Sequence, residues 1–259
     1  MAITYIGSAN ATGNNPTSGN FSLPAGWQAG DVAIFWWFTY AYNKTFVKSG
    51  TGTGITTKRD INSSNYGHLF IGYRVLQTGD STFAWTSSSV TNSTTIYGTS
   101  VFRGVSTTGD PFEAESGAPV TFTGVNNPDP PAVTTLTAGA CVLPLFGKTD
   151  NYTSITPPSN YSTAGSNSST AGSDASAGVA YRIIANPGSE DPGAWTLGSG
   201  GGTNNGYVWT GALKAALTQV FRKLQYSTEP PTTSAFNKLK YVSEPPVPAA
   251  WNKLAYEGE

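Results

Sequence analysis

The chain is poor in cysteine, histidine and charge, and each shortage closes off a class of function. Cys141 is the one cysteine in 259 residues. No disulfide framework can form within the chain, so stability must come from packing or assembly. His68 is the one histidine, which leaves no histidine pair and no Cys-His neighbourhood to build a nucleophilic dyad. Charged residues make up 11% of the chain, against about 25% in ordinary globular proteins. With a net charge of −1, there is no electrostatic case for nucleic acid or for an anionic membrane surface. No stretch approaches the roughly eighteen apolar residues that span a bilayer; the densest, residues 32–38, covers seven. The opening residues, MAITYIGSANATG, have neither the basic region nor the apolar run of a signal peptide. The chain is therefore expected to be made in the cytosol and not exported by the general secretion route.

What fills the space is polar and aromatic. Ser, Thr, Gly and Asn are abundant, and 13 Tyr, 12 Phe and 7 Trp sit among them. Short β-branched and aromatic runs are bounded by Gly, Pro, Asn and Asp, the pattern of strands between turns. It predicts strands at 3–6, 32–40, 68–75, 82–86, 95–102, 133–136, 140–145, 178–184, 194–197 and 207–213. No convincing amphipathic helix is visible. The expected fold class is all-β, a β-sandwich or jelly-roll body.

The body echoes itself. AGDVAIFWWF from Ala29 returns as AGACVLPLFG from Ala138. GYRV at Gly72 returns as AYRI at Ala180, STFAWT at Ser81 as DPGAWT at Asp191, and YGTSVFRGV at Tyr97 as YVWTGALKA at Tyr207. The order is kept and the offsets stay within 108 to 110. This predicts two pseudo-repeated sandwich halves, 1–108 and 109–214, followed by an extended tail, 215–259.

The tail is one phrase written three times. FRKLQYSTEPPTTSA starts at Phe221, FNKLKYVSEPPVPAA at Phe236 and WNKLAYEGE at Trp251, in steps of fifteen. A fixed period marks repeated structural units. Each unit offers a short extended run and then, in the first two, a Pro-Pro break that no helix crosses. A unit this small cannot bury its own aromatic, Leu and Tyr. The candidate partner-binding residues are therefore Phe221, Leu224, Tyr226, Phe236, Leu239, Tyr241, Trp251, Leu254 and Tyr256. Three equal anchors fit three equal sites on a repetitive partner; a tail folded on its own domain, or on copies of itself, is the alternative.

Residues that could carry chemistry are few. In the strand YGHLFIGY, alternation puts His68 opposite Leu69 and Ile71, so it is expected to face outward. Asp110, Glu113, Glu115, Glu190 and Asp191 could pair for glycoside hydrolysis, yet their Gly/Pro-rich setting favours turn and solvation roles. No His/Cys/Asp/Glu spacing suggests a metal, and none of the features calls for a cofactor. The run GSGGGT at 198–203 lacks the Lys-Ser/Thr of a phosphate loop and fits a hairpin or loop. In the aromatic run after Val32, Trp36, Phe38, Tyr40 and Tyr42 share one strand face and Phe35 and Trp37 the other. They can fill a core or, where exposed, stack on sugars.

The segments LPAGWQAGDVAIFWW, GYRVLQTGDSTFAWT, TSVFRGVS, AGVAYRIIANPGSEDPGAWT and YVWTGALK, spread over most of residues 20–214, resemble a family of tailed-bacteriophage virion proteins. The resemblance implies a β-sandwich or jelly-roll protein of the particle, of the head-decoration, head-fibre or tail-accessory kind, located in the virion. It brings no catalytic residues, so the chain is expected not to be an enzyme. Its expected partners are other virion proteins, capsid or tail subunits, reached through the repeats, with self-association as a further route. The rival expectation is a receptor- or glycan-binding adhesin that touches a host surface glycan.

Overall fold

In the computed structural model, the described residues are 2–90, 93–170, 173–199 and 204–216, with the backbone of 224–225 and 240–241. Met1–Ala216 make up one compact unit and Leu217–Glu259 a second. Of the second, only an antiparallel backbone pair is described, Leu224–Gln225 with Lys240–Tyr241.

The first half of the body contributes β1 (Thr4–Asn14), β2 (Ser18–Ser22), β3 (Val32–Thr39), β4 (Val47–Lys48), β5 (Thr56–Ser63), β6 (Gly67–Val75), β7 (Thr82–Thr86) and β8 (Thr94–Arg103). The second contributes β9 (Phe112–Glu115), β10 (Val120–Phe122), β11 (Val133–Thr135), β12 (Ala140–Lys148), β13 (Ile155–Thr156), β14 (Ser162–Ser169), β15 (Ala175–Ile184), β16 (Gly188–Glu190), β17 (Thr196–Leu197) and β18 (Gly206–Leu213). One 3-10 turn, Gly50–Gly54, interrupts the strands.

The two halves repeat one topology. The first large sheet runs β1-β8-β3-β6-β5, and the second runs β10-β18-β12-β15-β14, with β9 also on β18. A small outer sheet, β2-β7-β4, covers the first. Over the second, the pairs β11-β16 and β13-β17 take that place. Of the stretch 192–196 that echoes β7, only Thr196 belongs to a strand, β17; Pro192 stands at its start and has no N–H to give a ladder.

Strand alternation sorts the side chains into three cores. Val32, Ile34, Trp36 and Phe38 of β3 point into a central core shared with Cys141, Leu143 and Leu145 of β12 and with Val179, Tyr207 and Trp209. Ala33, Phe35 and Trp37 point the other way, onto Phe21, Phe83 and Trp85 under the first outer sheet. Val142 and Phe146 do the same onto Trp195 and Leu197 in the second half. A strand covered on both faces reads as an unbroken apolar run, which is why VAIFWWFT does. Each buried aromatic removes about 150–250 Å² from water, a contribution of about 4–6 kcal/mol before the entropy cost of ordering it.

Burial overturns one expectation. His68 does lie opposite Leu69 and Ile71, but that face is roofed by the outer layer and the ring is 4% exposed.

Candidate functional site

Where β3 ends, the chain stops being buried. Thr39 is fully covered, while Tyr40 is 45% and Tyr42 46% exposed. They are the only exposed aromatic side chains among the described residues. Trp36, Phe38, Phe35 and Trp37, which the alternation left open between core and surface, are all in the core.

The loop that carries the two tyrosines is tied down at several points. Tyr40 N donates to Thr94 O at 3.2 Å, and Lys44 N closes a turn on Ala41 O at 3.1 Å. Ala41 points inward, so Tyr40 and Tyr42 point out. The Lys44 side chain is fully buried, its Nζ 3.3 Å from Asn15 Oδ1, and burial lowers its pKa. The Lys44 carbonyl accepts from His68 Nδ1 at 2.6 Å, and Asp60 Oδ1 lies 2.6 Å from His68 Nε2. The ring thus bridges the loop backbone and the Asp60 side chain of β5. Its edge meets Trp37 at 5.2 Å, and Phe46 stacks on Phe70 at 4.1 Å to fix the loop's far end. His68 is a post under this loop, not a group open to substrate.

The second half supplies the facing wall. Thr149 N and Oγ1 both donate to Asn205 O, at 3.0 and 2.9 Å. Asn205 Nδ2 crosses to Asn65 O at 3.0 Å, and Ser93 pairs with Ser173 across the seam. Beside Thr149, Lys148 is buried and donates to Val125 O at 2.8 Å and to the Tyr152 hydroxyl. Burial lowers the Lys148 pKa against the opposing pull of Asp150. Burial, then the Asp150 charge, pushes Tyr152 up to about 12.

Between the two walls lies a cleft of about 430 Å³, lined by Tyr40, Tyr42, Asn43, Ser64, Asn65, Ser93, Thr149, Ser173, Asn204 and Asn205, with Ala41 and Val90. Among the described residues, no lining side chain carries a charge. The tyrosines were legible as an alternation. The amides and hydroxyls were not, because they come from separate loops between residues 43 and 205, and Asn and Ser are common throughout.

The carboxylates are engaged elsewhere. Asp110 and Glu115 pair with Lys58 at 2.6 and 3.0 Å, and Glu115 also with Arg59, joining β5 to the second half. Glu113 accepts from Leu136 N at 2.7 Å, Thr137 N at 3.1 Å and Thr137 Oγ1 at 2.5 Å. Glu190 pairs with Arg182 at 2.7 Å. Among the described residues no group of three His, Cys, Asp or Glu side chains is placed to hold a metal ion. Phe221, Tyr226, Phe236, Leu239, Trp251, Leu254 and Tyr256 lie outside the described residues, as do the side chains of Leu224 and Tyr241 and residues 200–203 of the glycine-rich run. Comparison with protein-family models, characterised proteins and solved structures gave no match.

Proposed function

We propose that this protein is a non-catalytic structural component of a bacteriophage particle. The β body is displayed outward, and the C-terminal repeats fix it to capsid or tail subunits. The observation that carries the reading is the fifteen-residue step that keeps aromatic, Lys, Leu and Tyr in register from Phe221 to Tyr256. Extended segments add to a partner's sheet edge through main-chain bonds, and alternate side chains fill its pockets. Three weak contacts on one tether reach an avidity about 10²- to 10⁴-fold above any single one.

The test is truncation followed by counting copies on purified particles. Removal of residues 251–259 lowers incorporation, removal from 221 onward abolishes it, and the body stays folded in both. Full incorporation of a body without repeats would end this reading.

A further inference from the structure

We infer that the cleft between the two halves, walled by Tyr40 and Tyr42, is a binding site for a neutral carbohydrate. This goes beyond a structural role and rests on the body alone, so neither idea depends on the other.

The first argument is the cost of the tyrosines. In a body that hides its other large aromatics wholly or in part, two stand half open on one cleft. Among the described residues, neither ring has a hydrogen bond or a ring contact. Each is nearly half exposed, and the apolar C–H face of a sugar ring packs on an open aromatic surface while the hydroxyl stays available.

The second argument is the polar lining. Asn43, Asn65 and Asn204 spend no side-chain amide on a partner among the described residues. Each amide offers two donors and an acceptor, the paired presentation that vicinal sugar hydroxyls match. Ser and Thr hydroxyls supply the remainder. Among the described residues, lysine, arginine and carboxylates are missing from the lining, so none of these side chains selects an anionic or cationic ligand. The surface is too rich in amide and hydroxyl for a purely apolar one.

The third argument is shape and stiffness. About 430 Å³ falls within the range of about 300–1,000 Å³ usual for ligand clefts. The loop is already held, by Thr94, His68 and the buried Lys44, in the form that shows both rings. A pre-set site avoids an ordering cost on binding.

The experiment uses the full chain and a panel of neutral oligosaccharides: cellotetraose, maltotetraose, mannotetraose, galactotetraose and chitotetraose, with sialyllactose as a charged control. Saturation-transfer NMR identifies binders and calorimetry measures affinity. At least one neutral member binds. Tyr40→Ala and Tyr42→Ala each weaken it by about tenfold or more, the loss of one good contact. Tyr42→Phe keeps affinity within about threefold, because the ring face remains. Leu136→Ala, at an exposed position away from the cleft, changes nothing. Both tyrosines are exposed, so their loss leaves the fold intact. Binding by no neutral member, by sialyllactose alone, or equally by wild type and the Tyr40→Ala/Tyr42→Ala double variant overturns the inference.

Discussion

Val105 and Ala215, 110 positions apart in the sequence, pair with each other as an antiparallel bridge. Ser106 N donates to Lys214 O at 2.8 Å, and Ala216 N donates to Gly104 O at 2.7 Å. Exchange of the two halves turns one bond into the other, which is the self-complementarity of a two-fold contact. The same exchange relates the Arg74–Asp80 pair, at 2.8 Å, to the Arg182–Glu190 pair, at 2.7 Å. It also relates Tyr181, stacked on Tyr5 of the other half at 4.8 Å, to Tyr73, edge-on to Phe112 of the other half at 6.0 Å. The body is built like a homodimer written on one chain. The cleft lies at the opposite end of the strands from the Val105 bridge, and its two walls are not equivalent: only the first half brings tyrosines.

Phe38 and Gly147 test how the halves meet. They occupy equivalent places in the echo, and they touch. A Cβ on Gly147 would stand 2.4 Å from Phe38 Cδ2, so the seam accepts one large residue and one without a side chain. Gly147→Ala is expected to cost about 1–3 kcal/mol by overpacking. Phe38→Leu makes room, so the double variant should lose less than the sum of the singles. Denaturant titration of the four proteins gives the answer; strict additivity would mean that the sheets do not press together there.

His68→Ala should destabilise the body by about 1–3 kcal/mol, since it empties a packed site and leaves the Lys44 carbonyl without its partner. Exchange of the amide hydrogens at residues 40–46 should speed up with it. Unchanged exchange in that loop would remove His68 from its supporting role.

Asp80 gives the body a pH-dependent component. Burial pushes its carboxyl up, but hydrogen bonds from Arg74 and from Gln77 N, with the Arg74 charge, outweigh that and hold it below its ordinary value. A carboxyl lowered in the folded state adds stability above the unfolded value of about 3.9. That stability is lost as pH falls through the lower, folded value. Asp80→Asn should therefore be less stable than wild type by about 1–2 kcal/mol at pH 7, and the gap should close in strong acid. Melting temperatures from pH 7 to pH 2 measure it, and a gap constant over that range would contradict the assignment.

The long apolar strands were legible because both their faces are covered: 32–40, 140–145 and 207–213 stand out against a polar background. β5 (TTKRDINS) and β14 (STAGSNSS) were not. They are edge strands of the large sheets, held by main-chain bonds to β6 and β15, so their side chains need not be apolar and read as loop. His68 shows the limit of alternation. It assigns a face correctly and cannot say whether another layer covers it. The echoed segments fall on β3 and β12, β6 and β15, and β8 and β18, which neighbour one another in the same order in the two large sheets.

In the tail, the anchors and the spacers should separate by energy. Trp251 is the third aromatic in the fifteen-residue step, and Lys253 lies two residues on, in the same phrase. If the units dock into pockets, the aromatic is the buried group and the lysine lies at the rim. Truncating a buried aromatic anchor costs about 2 kcal/mol or more, and rim residues cost little. Trp251→Ala should thus reduce occupancy on particles well below that of Lys253→Ala. Phe221→Ala and Phe236→Ala should each match Trp251→Ala to within a few fold, because equal spacing implies equal pockets. The triple variant should fall far below any single one, as avidity requires. Competition between wild-type and variant protein for particles lacking it measures all of these together. Equal occupancy of Trp251→Ala and Lys253→Ala would show that the repeated aromatics are not the points of attachment, and the self-association reading would then take their place.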